Sequence, residues 1–469
     1  MSYAMILCSV VSESNWSNRG LTVPVLLGWC NLLDKKTGNN YIGIAVLGLG
    51  VVGSGFVKAL LEEQRAVTVP GSPNVHLTHV LVRDVEKKRL VDIDKDLLTN
   101  DFSAIVDDSE TNVIVEVLGG EEPAATFLEQ ALSSGKHVVT ANKEVVAKHG
   151  RKLIEKAQAN NVEFRYEASV GAGIPIISAL QGSLASDYIS GIWAIINGTT
   201  NYILTSMASG GLDFDGALSE AQVLGYAEPD PTNDVEGFDA RYKLAILASL
   251  GFGTYVDPSE IYCEGINSLH ARDFKYAREL GYAIKLLAIA REEMESIQIR
   301  VHPALLREDL LLAKVDGVYN AIQIQGERVG RLLMYGRGAG SEPTTSGLLG
   351  DVAEVVRRMA SKGEKVAIVS EERQKALKPI SDLHTSYYLR ISVLDQAGVL
   401  AAISQVFAKW DISIGSVIQK ESDDISQTAE LVVLTHVSKE SAVQQAAKEI
   451  LGLAEVESIG SLIRVESDV

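Results

Sequence analysis

From residue 41 onward, the chain alternates short, almost uninterrupted apolar segments with segments whose apolar positions recur every three or four residues. Continuous apolar runs are typical of strands buried on both faces, and the longer period is typical of helices packed on a sheet. Strands are predicted at residues 42–50, 79–84, 113–120, 137–143 and 162–169, with helices at 54–64, 123–134 and 144–159. This alternation predicts a doubly wound α/β domain with a parallel sheet at residues 41–169.

The pattern changes after residue 173. Helices are predicted at residues 174–183, 234–250 and 272–288, and strands at 189–196, 297–305, 318–324 and 331–335. Residues 170–340 are therefore expected to form a mixed α+β catalytic domain inserted into the first domain. A glycine-rich segment at residues 336–347 then opens a helix that runs to about residue 360, so that residues 341–362 are expected to complete the first domain.

The C-terminal residues 383–469 show the order β-α-β-β-α-β, which is the ferredoxin-like arrangement. A charged and weakly patterned linker at residues 363–382 precedes this unit, so we expect the unit to fold without the rest of the chain. Residues 1–40 show neither helical nor strand period, and they are predicted to be an irregular N-terminal extension, such as one added by an upstream start codon.

Composition narrows the possible function classes. The 469 residues carry 43 Lys and Arg against 61 Asp and Glu, and this net charge of −18 argues against nucleic acid or an anionic membrane as a partner. No apolar run is long enough to span a membrane. The three cysteines form no disulfide framework, and the eight histidines show no metal-binding spacing. A soluble, cytoplasmic protein of several domains is predicted.

The sequence GLGVVG follows the first predicted strand and precedes a helix. In this pattern the first glycine permits a tight turn, the second lets the main chain approach a pyrophosphate, and the third lets helix and strand pack closely. A Rossmann-type dinucleotide site is therefore predicted, and a plain packing turn is the alternative. The residues of this phosphate loop are Gly48, Leu49, Gly50, Val51, Val52 and Gly53.

Arg83 stands at the end of the second predicted strand, where a dinucleotide-binding domain contacts the adenosine ribose. A carboxylate at this place would bind a ribose 2′-hydroxyl, whereas an arginine suits a 2′-phosphate. The sequence therefore favours NADP, with NAD possible. A solvated basic helix start, continued by Lys87 and Lys88, is the alternative.

The stretch GYAEPDPTNDVEGFDARYK gathers several carboxylates just before Lys243. Asp239 and Lys243 are four residues apart on one predicted helix face, and Asp234 is predicted to cap that helix. On an exposed face such a pair is a routine salt bridge. Two other segments favour a polar substrate site instead: Lys143 lies near the carboxyl end of a parallel strand, and NGTTNYI, residues 197–203, supplies hydroxyls and amides in a predicted tight turn.

A resemblance to homoserine dehydrogenases is carried by the segments GLGVVGSG, VRD, TANK, YEASVGAGIP, INGTTNYIL, GYAEPDPTNDVEGFDARYK and GRGAGSEPT. They occur in the family's order over residues 42–359, roughly two-thirds of the chain, and residues 383–469 resemble an ACT domain. The resemblance implies NAD(P)-dependent interconversion of L-homoserine and L-aspartate 4-semialdehyde, on the route to threonine, methionine and isoleucine.

Individual roles follow from the resemblance, residue by residue. Glu228 would bind the substrate's amino group, and Asp234 would belong to the same site. Lys243 would protonate the carbonyl oxygen, Asp239 would orient the site, and Lys143 would lie between cofactor and substrate.

The resemblance implies three further sites. Gly340 would lie on the nicotinamide side of the cofactor. A loop for a monovalent cation such as Na⁺ would take its ligands, mostly main-chain carbonyls, from Glu167, Val170, Ala172 and Ile174. In the ACT unit, an effector, with threonine favoured, would bind at Asp395, Gly398 and Val399. A plain dimerisation module is the alternative for that unit, and a homodimer or homotetramer is expected.

Two other function classes are alternatives. An aspartate-semialdehyde dehydrogenase-like enzyme would share the architecture but would need a thiolate, and Cys263 has no conspicuous activating partner in the sequence. An amino-acid-sensing ACT protein with an idle catalytic domain is the other alternative. The presence of both Lys143 and Lys243 argues against an idle site.

Overall fold

The structure, a computed structural model, describes residues 41–62, 73–294, 296–361, 375–423 and 428–467. The predicted extension at residues 1–40 lies outside these ranges. Residues 42–469 form one compact unit. Among the described helices, none has the length and apolar character needed to cross a lipid bilayer.

The first sheet has six strands: β1 Tyr41–Leu47, β2 Asn74–Leu81, β3 Leu98–Thr99, β4 Thr111–Glu116, β5 His137–Thr140 and β6 Phe164–Arg165. The helices between them are α1 Val51–Glu62, α2 Phe102–Asp107, α3 Ala124–Ser133 and α4 Lys143–Ala159. Their spatial order is β3-β2-β1-β4-β5-β6, and the pairings β1–β4, β4–β5, β5–β6 and β2–β3 are parallel. The predicted Rossmann-type fold is confirmed. The order reverses between β1 and β4, where such sheets bind ligands.

Several strand boundaries in this sheet differ from the prediction. Strand β2 begins at Asn74, five positions before the predicted start at residue 79. The prediction missed its first half because polar residues alternate there with buried ones and no continuous apolar run is present. The strand predicted at residues 162–169 is only β6, and a short 3-10 helix, Glu167–Ser169, follows it. Lys143 starts α4 rather than ending a strand, since the Asn142 side chain caps the helix by accepting from the Val145 N–H at 3.2 Å.

The middle region combines strands β7 Ile189–Ile195, β8 Tyr262–Cys263, β9 Tyr282–Glu293, β10 Ser296–Arg307, β11 Tyr319–Gly326 and β12 Gly330–Arg337. Its helices are α5 Ile176–Gln181, α6 Gly198–Gly210, α7 Phe214–Val223, α8 Thr232–Val235, α9 Phe238–Phe252 and α10 Ala271–Glu279. The long strands lie in the order β12-β11-β7-β9-β10 with antiparallel pairings. The mixed α+β character predicted for this region is what the structure shows.

Three predictions in the middle region are wrong. The helix predicted at residues 272–288 is α10 followed by β9, because the strand is buried along most of its length and lacks period-two alternation. The helix predicted at residues 234–250 is interrupted at Gly237, whose φ of +82° is left-handed. The segment 197–203, predicted as a tight turn, instead begins α6, which the sequence pattern did not reveal.

Helix α11, Ser341–Ser361, returns to the first sheet. Leu348, Val352 and Val356 of this helix are fully buried in one core with Phe56 of α1. The chain therefore passes between the first and second sheets twice, once after β6 and once before α11.

The C-terminal region contains strands β13 Ala376–Leu377, β14 His384–Leu394, β15 Ile414–Asp423, β16 Thr428–Thr435, β17 Ser438–Lys439 and β18 Val456–Glu466, with helices α12 Val399–Lys409 and α13 Glu440–Leu451. The order β18-β14-β16-β15 is antiparallel throughout and has its own buried core, which includes Tyr387 and Phe407. The predicted ferredoxin-like arrangement is confirmed.

The sheet of this unit continues the middle one, and the expectation that the unit folds without the rest of the chain stays a prediction. Strand β18 pairs in parallel with β10, with Ala304 opposite Arg464 and Leu306 opposite Glu466. Buried ion pairs also cross the boundary, among them Arg300–Glu466 at 2.6 Å. Of the predicted linker, residues 363–374 lie outside the described residues, and β13 is hydrogen-bonded to β10.

Candidate active site

The glycine turn after β1 has the geometry that its spacing predicts. Gly48 has a φ of +104°, and a Cβ there would lie 2.9 Å from the Val117 carbonyl oxygen. A Cβ on Gly53 would lie 2.1 Å from the carbonyl oxygen of Gly48, so helix and strand approach too closely for any side chain. A Cβ on Gly50 would meet nothing within 4 Å. Packing thus explains the outer two glycines, while the open space at Gly50 fits a pyrophosphate at the N-terminus of α1.

The start of α11 lies against this turn. The Ser341 hydroxyl donates to the Val51 carbonyl oxygen at 3.2 Å, and Gly340, with a φ of +113°, makes the turn into the helix. Arg83 lies two residues after β2, and its side chain is exposed. The phosphate loop, Gly340 and Arg83 therefore lie at the carboxyl edge of the first sheet, where a dinucleotide binds in this fold.

A lysine cluster, defined as Lys143, Lys243 and Asp239, joins the two parts of the protein. Asp239 on α9 is buried at 3% exposure. One of its carboxylate oxygens lies 2.5 Å from Lys143 Nζ of α4, and the other lies 2.7 Å from Lys243 Nζ, one turn along α9. Lys243 also donates to the Ile196 carbonyl oxygen at 2.8 Å. Two ammonium groups thus share one buried carboxylate.

The charges in this cluster stabilise one another. Burial alone would raise the pKa of Asp239, but Lys243 and Lys143 outweigh it and hold that pKa well below its usual range. The Asp239 carboxylate in turn raises the pKa of Lys143 against the effect of burial, and Asp234 and Glu228 add to the rise. Lys143 is therefore a cation at neutral pH, and its side chain is 41% exposed towards solvent.

Asn197 organises the carboxylates; it is the first residue of the segment 197–203 that was predicted to supply amides, but no individual role was predicted for it. As the N-cap of α6, its side-chain oxygen accepts from the Thr200 N–H at 2.8 Å. Its Nδ2 donates to Asp239 at 2.8 Å and to Asp234 at 2.7 Å. The usable signal was an Asn before an apolar helical period, which marks a helix start.

The two residues predicted to bind the substrate, Asp234 and Glu228, lie close to the lysine cluster, and they differ in their hydrogen-bond partners. Asp234 lies in α8 and accepts from Asn197, so the prediction that it caps the longer helix is wrong; Gly237 occupies that N-cap position without a side-chain hydrogen bond. Glu228 is exposed, and no described residue hydrogen-bonds its carboxylate. An unpaired carboxylate beside the lysine cluster is suited to a ligand ammonium group.

Glu116 is a second polar residue that the sequence did not single out. It ends β4 next to the phosphate loop and is fully buried, and burial raises its pKa. Its carboxylate accepts from the Thr140 hydroxyl at 2.5 Å and from the Leu118 N–H at 2.7 Å. A lone carboxylate in the apolar run VIVEV was the available signal.

The loop expected to bind a monovalent cation is tightly turned. Ala172 adopts a left-handed φ of +46°, which is strained for a residue with a side chain. The carbonyl oxygens of Val170 and Ala172 accept no hydrogen bond from the described residues, whereas that of Ile174 accepts from the Ile176 N–H at 2.8 Å. The Glu167 carboxylate accepts from two N–H groups at the start of α5, at 2.8 and 2.7 Å.

Asp351 of α11 lies beside this loop. Its carboxylate accepts from the Glu167 N–H at 2.8 Å. Burial raises the pKa of Asp351 to about 7, and the neighbouring Glu167 carboxylate adds to the rise. Two buried carboxylates therefore face the loop from adjacent elements.

The expected effector loop lies at the start of α12. Gly398 is the N-cap of this helix with a φ of +100°, no side chain caps it, and a Cβ there would meet nothing within 4 Å. Val399 starts the helix and is buried, and Asp395 accepts from Gln419 at 3.2 Å. Asp395 and Gly398 thus lie on one exposed loop, and the buried Val399 follows directly in the helix.

The thiol of Cys263 is poorly suited to nucleophilic catalysis. Burial raises its pKa to about 11, and the thiol donates to the Glu236 carbonyl oxygen at 3.1 Å. Mechanisms that need a thiolate here are disfavoured.

A dinucleotide turn after β1 and a buried lysine–carboxylate cluster that begins after β5, at the same carboxyl edge of the sheet, define a nicotinamide-dependent oxidoreductase acting on a carbonyl or hydroxyl group. Family comparison is consistent: residues 48–167 match the homoserine dehydrogenase NAD-binding domain, residues 175–353 match homoserine dehydrogenase, and residues 387–455 match the ACT domain. The chain belongs to the homoserine dehydrogenase family.

Individual relatives agree with this assignment. The chain is 43% identical to a homoserine dehydrogenase of Synechocystis sp. over 435 residues, covering 91% of this chain and 100% of that protein. It is 38% identical to the Bacillus subtilis homoserine dehydrogenase, with 91% and 99% covered. A crystal structure of a homoserine dehydrogenase from Thiobacillus denitrificans superposes with a TM-score of 0.84 at 40% identity, covering 91% of this chain and 98% of that one.

A further solved structure bears on the cofactor. A hyperthermophilic archaeal homoserine dehydrogenase, in complex with NADPH, superposes with a TM-score of 0.58 at 28% identity, covering 70% of this chain and all of that one. The chain is therefore an oxidoreductase with a nicotinamide cofactor and an ACT domain, as the sequence predicted. The semialdehyde-dehydrogenase-like and idle-sensor alternatives find no support.

Proposed function

We propose that the lysine cluster carries out the acid–base step in the interconversion of L-homoserine and L-aspartate 4-semialdehyde, with Lys243 as the acid that protonates the substrate oxygen. The observation that carries this proposal is the convergence of Lys143 and Lys243 on the buried Asp239 carboxylate, at 2.5 and 2.7 Å.

Lys243 has the hydrogen-bonding capacity for this role. When bound, the nicotinamide cofactor supplies or accepts the hydride. Reduction of the aldehyde leaves negative charge on oxygen, which an ammonium group stabilises and protonates. A lysine has three N–H donors, and the described residues accept two from Lys243, namely Asp239 and the Ile196 carbonyl. The third is available to the substrate oxygen, and Asp239 keeps both ammonium groups oriented towards it.

Glu228 is proposed to bind the amino group of the substrate. Its carboxylate is exposed, makes no hydrogen bond to a described residue, and lies close enough to Lys143 to raise the pKa of that lysine. Asp234, held by Asn197, is proposed to complete the polar wall of the same site. An amino acid substrate would therefore be held by its ammonium group while its side-chain oxygen faces Lys243.

NADP is proposed as the preferred coenzyme. The phosphate loop from Gly48 to Gly53 and Gly340 would hold the pyrophosphate and nicotinamide sides, and the exposed Arg83 would pair with the 2′-phosphate. We also propose a monovalent cation at the loop of Glu167, Val170, Ala172 and Ile174. The two unengaged carbonyls and the strained Ala172 support this assignment.

Threonine is proposed as the effector of the ACT unit. The uncapped N-terminus of α12 at Gly398 can bind a carboxylate, and Asp395 can bind an ammonium group. Gly398→Asp would place a carboxylate there, so it should abolish inhibition while leaving uninhibited turnover near that of the parent.

The test is homoserine oxidation with NADP and with NAD, each with and without millimolar threonine, for the parent and Arg83→Ala. The parent should prefer NADP, and Arg83→Ala should weaken NADP by about ten- to a hundredfold while sparing NAD, because a charge-assisted hydrogen bond is lost only with the phosphorylated coenzyme. Equal losses for the two coenzymes would assign Arg83 a structural role. A parent enzyme that ignores threonine would make the ACT unit an assembly module.

A further inference from the structure

The turn at residues 235–237 fixes the relative position of the two carboxylates in the site. Asp234 lies on one side in α8, and Asp239 lies on the other in the first turn of α9. Gly237 turns the chain with a left-handed φ of +82°, and no side chain caps α9. The first turn of α9 therefore depends on other contacts to hold this connection in place.

Those contacts come from residues 262–267, here called the bracing segment. The Cys263 thiol donates to the Glu236 carbonyl oxygen at 3.1 Å, and the Ile266 N–H donates to the Val235 carbonyl oxygen at 2.9 Å. A Cβ on Gly265 would lie 2.4 Å from the same Val235 oxygen, so the two strands of chain are in direct contact. A shift of the bracing segment would move the turn with it.

The bracing segment is anchored at its other side by the ACT unit. Arg464 of β18 donates to the Glu264 carboxylate at 2.7 Å and to the Tyr262 hydroxyl at 3.1 Å. Tyr262 itself donates to Glu264 at 2.8 Å. Arg464 is 1% exposed and is fixed by two further hydrogen bonds to Glu440, at 2.9 and 2.7 Å. Both carboxylates are therefore oriented by one buried guanidinium group.

The sheet keeps these partners side by side. Strand β8, which begins the bracing segment, pairs with β10 at Arg300 and Val301, and β18 pairs with the same edge of β10 from Ala304 to Leu306. The segment is also tied to this edge by the Glu264 N–H, which donates to the Val301 carbonyl oxygen at 2.8 Å. A continuous set of contacts thus runs from the ACT unit to the turn beside Asp239.

We propose that Arg464, although it belongs to the ACT unit, is a positioning residue for the active site, acting through Glu264 and the bracing segment on the turn at residues 235–237. The proposal rests on the proposed roles of Asp239 and Lys243. Loss of the anchor lets the turn shift, so that Asp239 no longer holds both lysines in place. Homoserine turnover then falls, while dinucleotide binding, which depends on the first sheet, is unchanged.

The test uses the full-length chain with Glu264→Ala, which removes the anchor and leaves Arg464 paired with Glu440. Turnover of homoserine should fall by about two- to thirtyfold, the usual range for residues that couple to a site without touching the ligand. The dissociation constant of NADPH should stay within twofold of the parent. Glu264→Gln, which keeps a hydrogen-bond acceptor of the same shape, should restore part of the turnover.

Two further variants separate positioning from general stability. Arg272→Met removes another ion pair across the same boundary, Arg272–Glu430 at 2.8 Å, without touching the bracing segment, and it should leave turnover unchanged. Cys263→Ala removes a contact between the bracing segment and the turn. It should lower turnover, and its effect should be less than multiplicative with that of Glu264→Ala, since both act through one element.

The outcomes are distinguishable. Parent-like turnover in both Glu264→Ala and Cys263→Ala, or an equal loss in Arg272→Met, would overturn the positioning role. Lys243→Ala, measured in parallel, reports on the proposed function itself. If it is slow while Glu264→Ala is not, only the positioning role fails; if it keeps parent turnover, the assignment of the catalytic cluster fails as well.

Discussion

Two buried ionic clusters in this protein use similar side chains for different ends. The lysine cluster sets two ammonium groups against the single carboxylate of Asp239. The boundary cluster, defined as Arg464 with Glu440 and Glu264, sets one guanidinium group against two carboxylates; Arg464 and Glu440 are 1% and 3% exposed, and only the Glu264 side chain, at 31%, reaches solvent. In contrast, the Lys143 side chain is 41% exposed.

The difference shows how a site can be told from a structural ion pair. In the boundary cluster, residues of the protein accept four of the five N–H donors of Arg464, and this side chain is 1% exposed, so a ligand cannot reach it. In the lysine cluster, donors and positive charge exceed what the protein accepts, and one member reaches solvent. A cluster in which buried cations outnumber their carboxylate partners, and in which one cation reaches solvent, is the kind that indicates a ligand-binding site.

Deletion of the ACT unit, which removes the boundary cluster, should have the largest effect on stability and activity. Truncation after Ala360 would leave Arg300 without Glu466 and Asp273 without Arg390, and it would uncover the edge of β10 that β18 occupies. Domains are stable by only about 5–15 kcal/mol. We therefore expect no folded, active protein, measured by circular dichroism and homoserine oxidation.

The control for the truncation is an exposed ion pair within the ACT unit. Lys409→Ala, which removes the Lys409–Glu449 pair at 2.8 Å, should change neither stability nor activity. A truncated protein that melts cooperatively near the parent temperature and oxidises homoserine would show that the boundary cluster is dispensable.

The second prediction compares two buried lysines with the same kinds of partners. Lys243 binds one carboxylate and one main-chain carbonyl, and so does Lys285, which donates to Asp316 and to the Val315 carbonyl oxygen, each at 2.7 Å. Lys243→Ala should lower turnover by about two to four orders of magnitude, the range for a general acid, and leave NADPH binding intact. Lys285→Ala should lower stability alone.

Steady-state kinetics, coenzyme titration and thermal melting on both variants check this comparison. Turnover of Lys243→Ala within threefold of the parent would remove Lys243 from the mechanism. An equal loss in Lys285→Ala would mean that the two lysines cannot be separated by function.

The smallest effect concerns a cluster with the opposite imbalance, Asp351 beside Glu167. An aspartate in an unfolded chain has a pKa near 4, and that of Asp351 in the folded protein is about 7. Between these values the folded state binds more protons, so the contribution of Asp351 to stability is present below about pH 4 and is lost as the pH rises through 7.

Asp351→Asn cannot ionise and still offers an oxygen to the Glu167 N–H. Its melting temperature relative to the parent should therefore increase from pH 5 to pH 8, by on the order of 5 °C. Melting curves at several pH values measure this difference. A constant difference across the range would show that Asp351 does not titrate there.

The sequence predicted the first sheet well, because strands buried on both faces carry continuous apolar runs and the glycine turn has a fixed spacing. The same rule failed at β9, which was predicted as a helix. Its buried run YAIKLLAIA follows closely after helix α10, and without period-two alternation it could not be told from a continuation of that helix. Helix α6 was missed because its first turn is GTTN, which is also typical of turns.

The sequence predicted only part of the candidate site. Lys143, Asp239 and Lys243 came together as the motifs indicated, since two of them share a helix face and the third follows a strand end. Asn197 needed a helix start to be identified first. The contact between Arg464 and Glu264 joins residues 200 positions apart, and no local pattern encodes such a pairing.

The shared edge of β10 also sets an order of events during synthesis. Arg300 and its partner Glu466 are 166 positions apart, so at roughly 5–20 residues per second the ribosome needs on the order of ten to thirty seconds to supply the missing strand. Throughout that interval the nascent chain carries an incomplete sheet edge, the kind of edge that recruits other chains. Arg300 lies four residues before Ala304 on the same strand and has no carboxylate partner until β18 arrives, so it places a charge near that edge that discourages pairing with another chain.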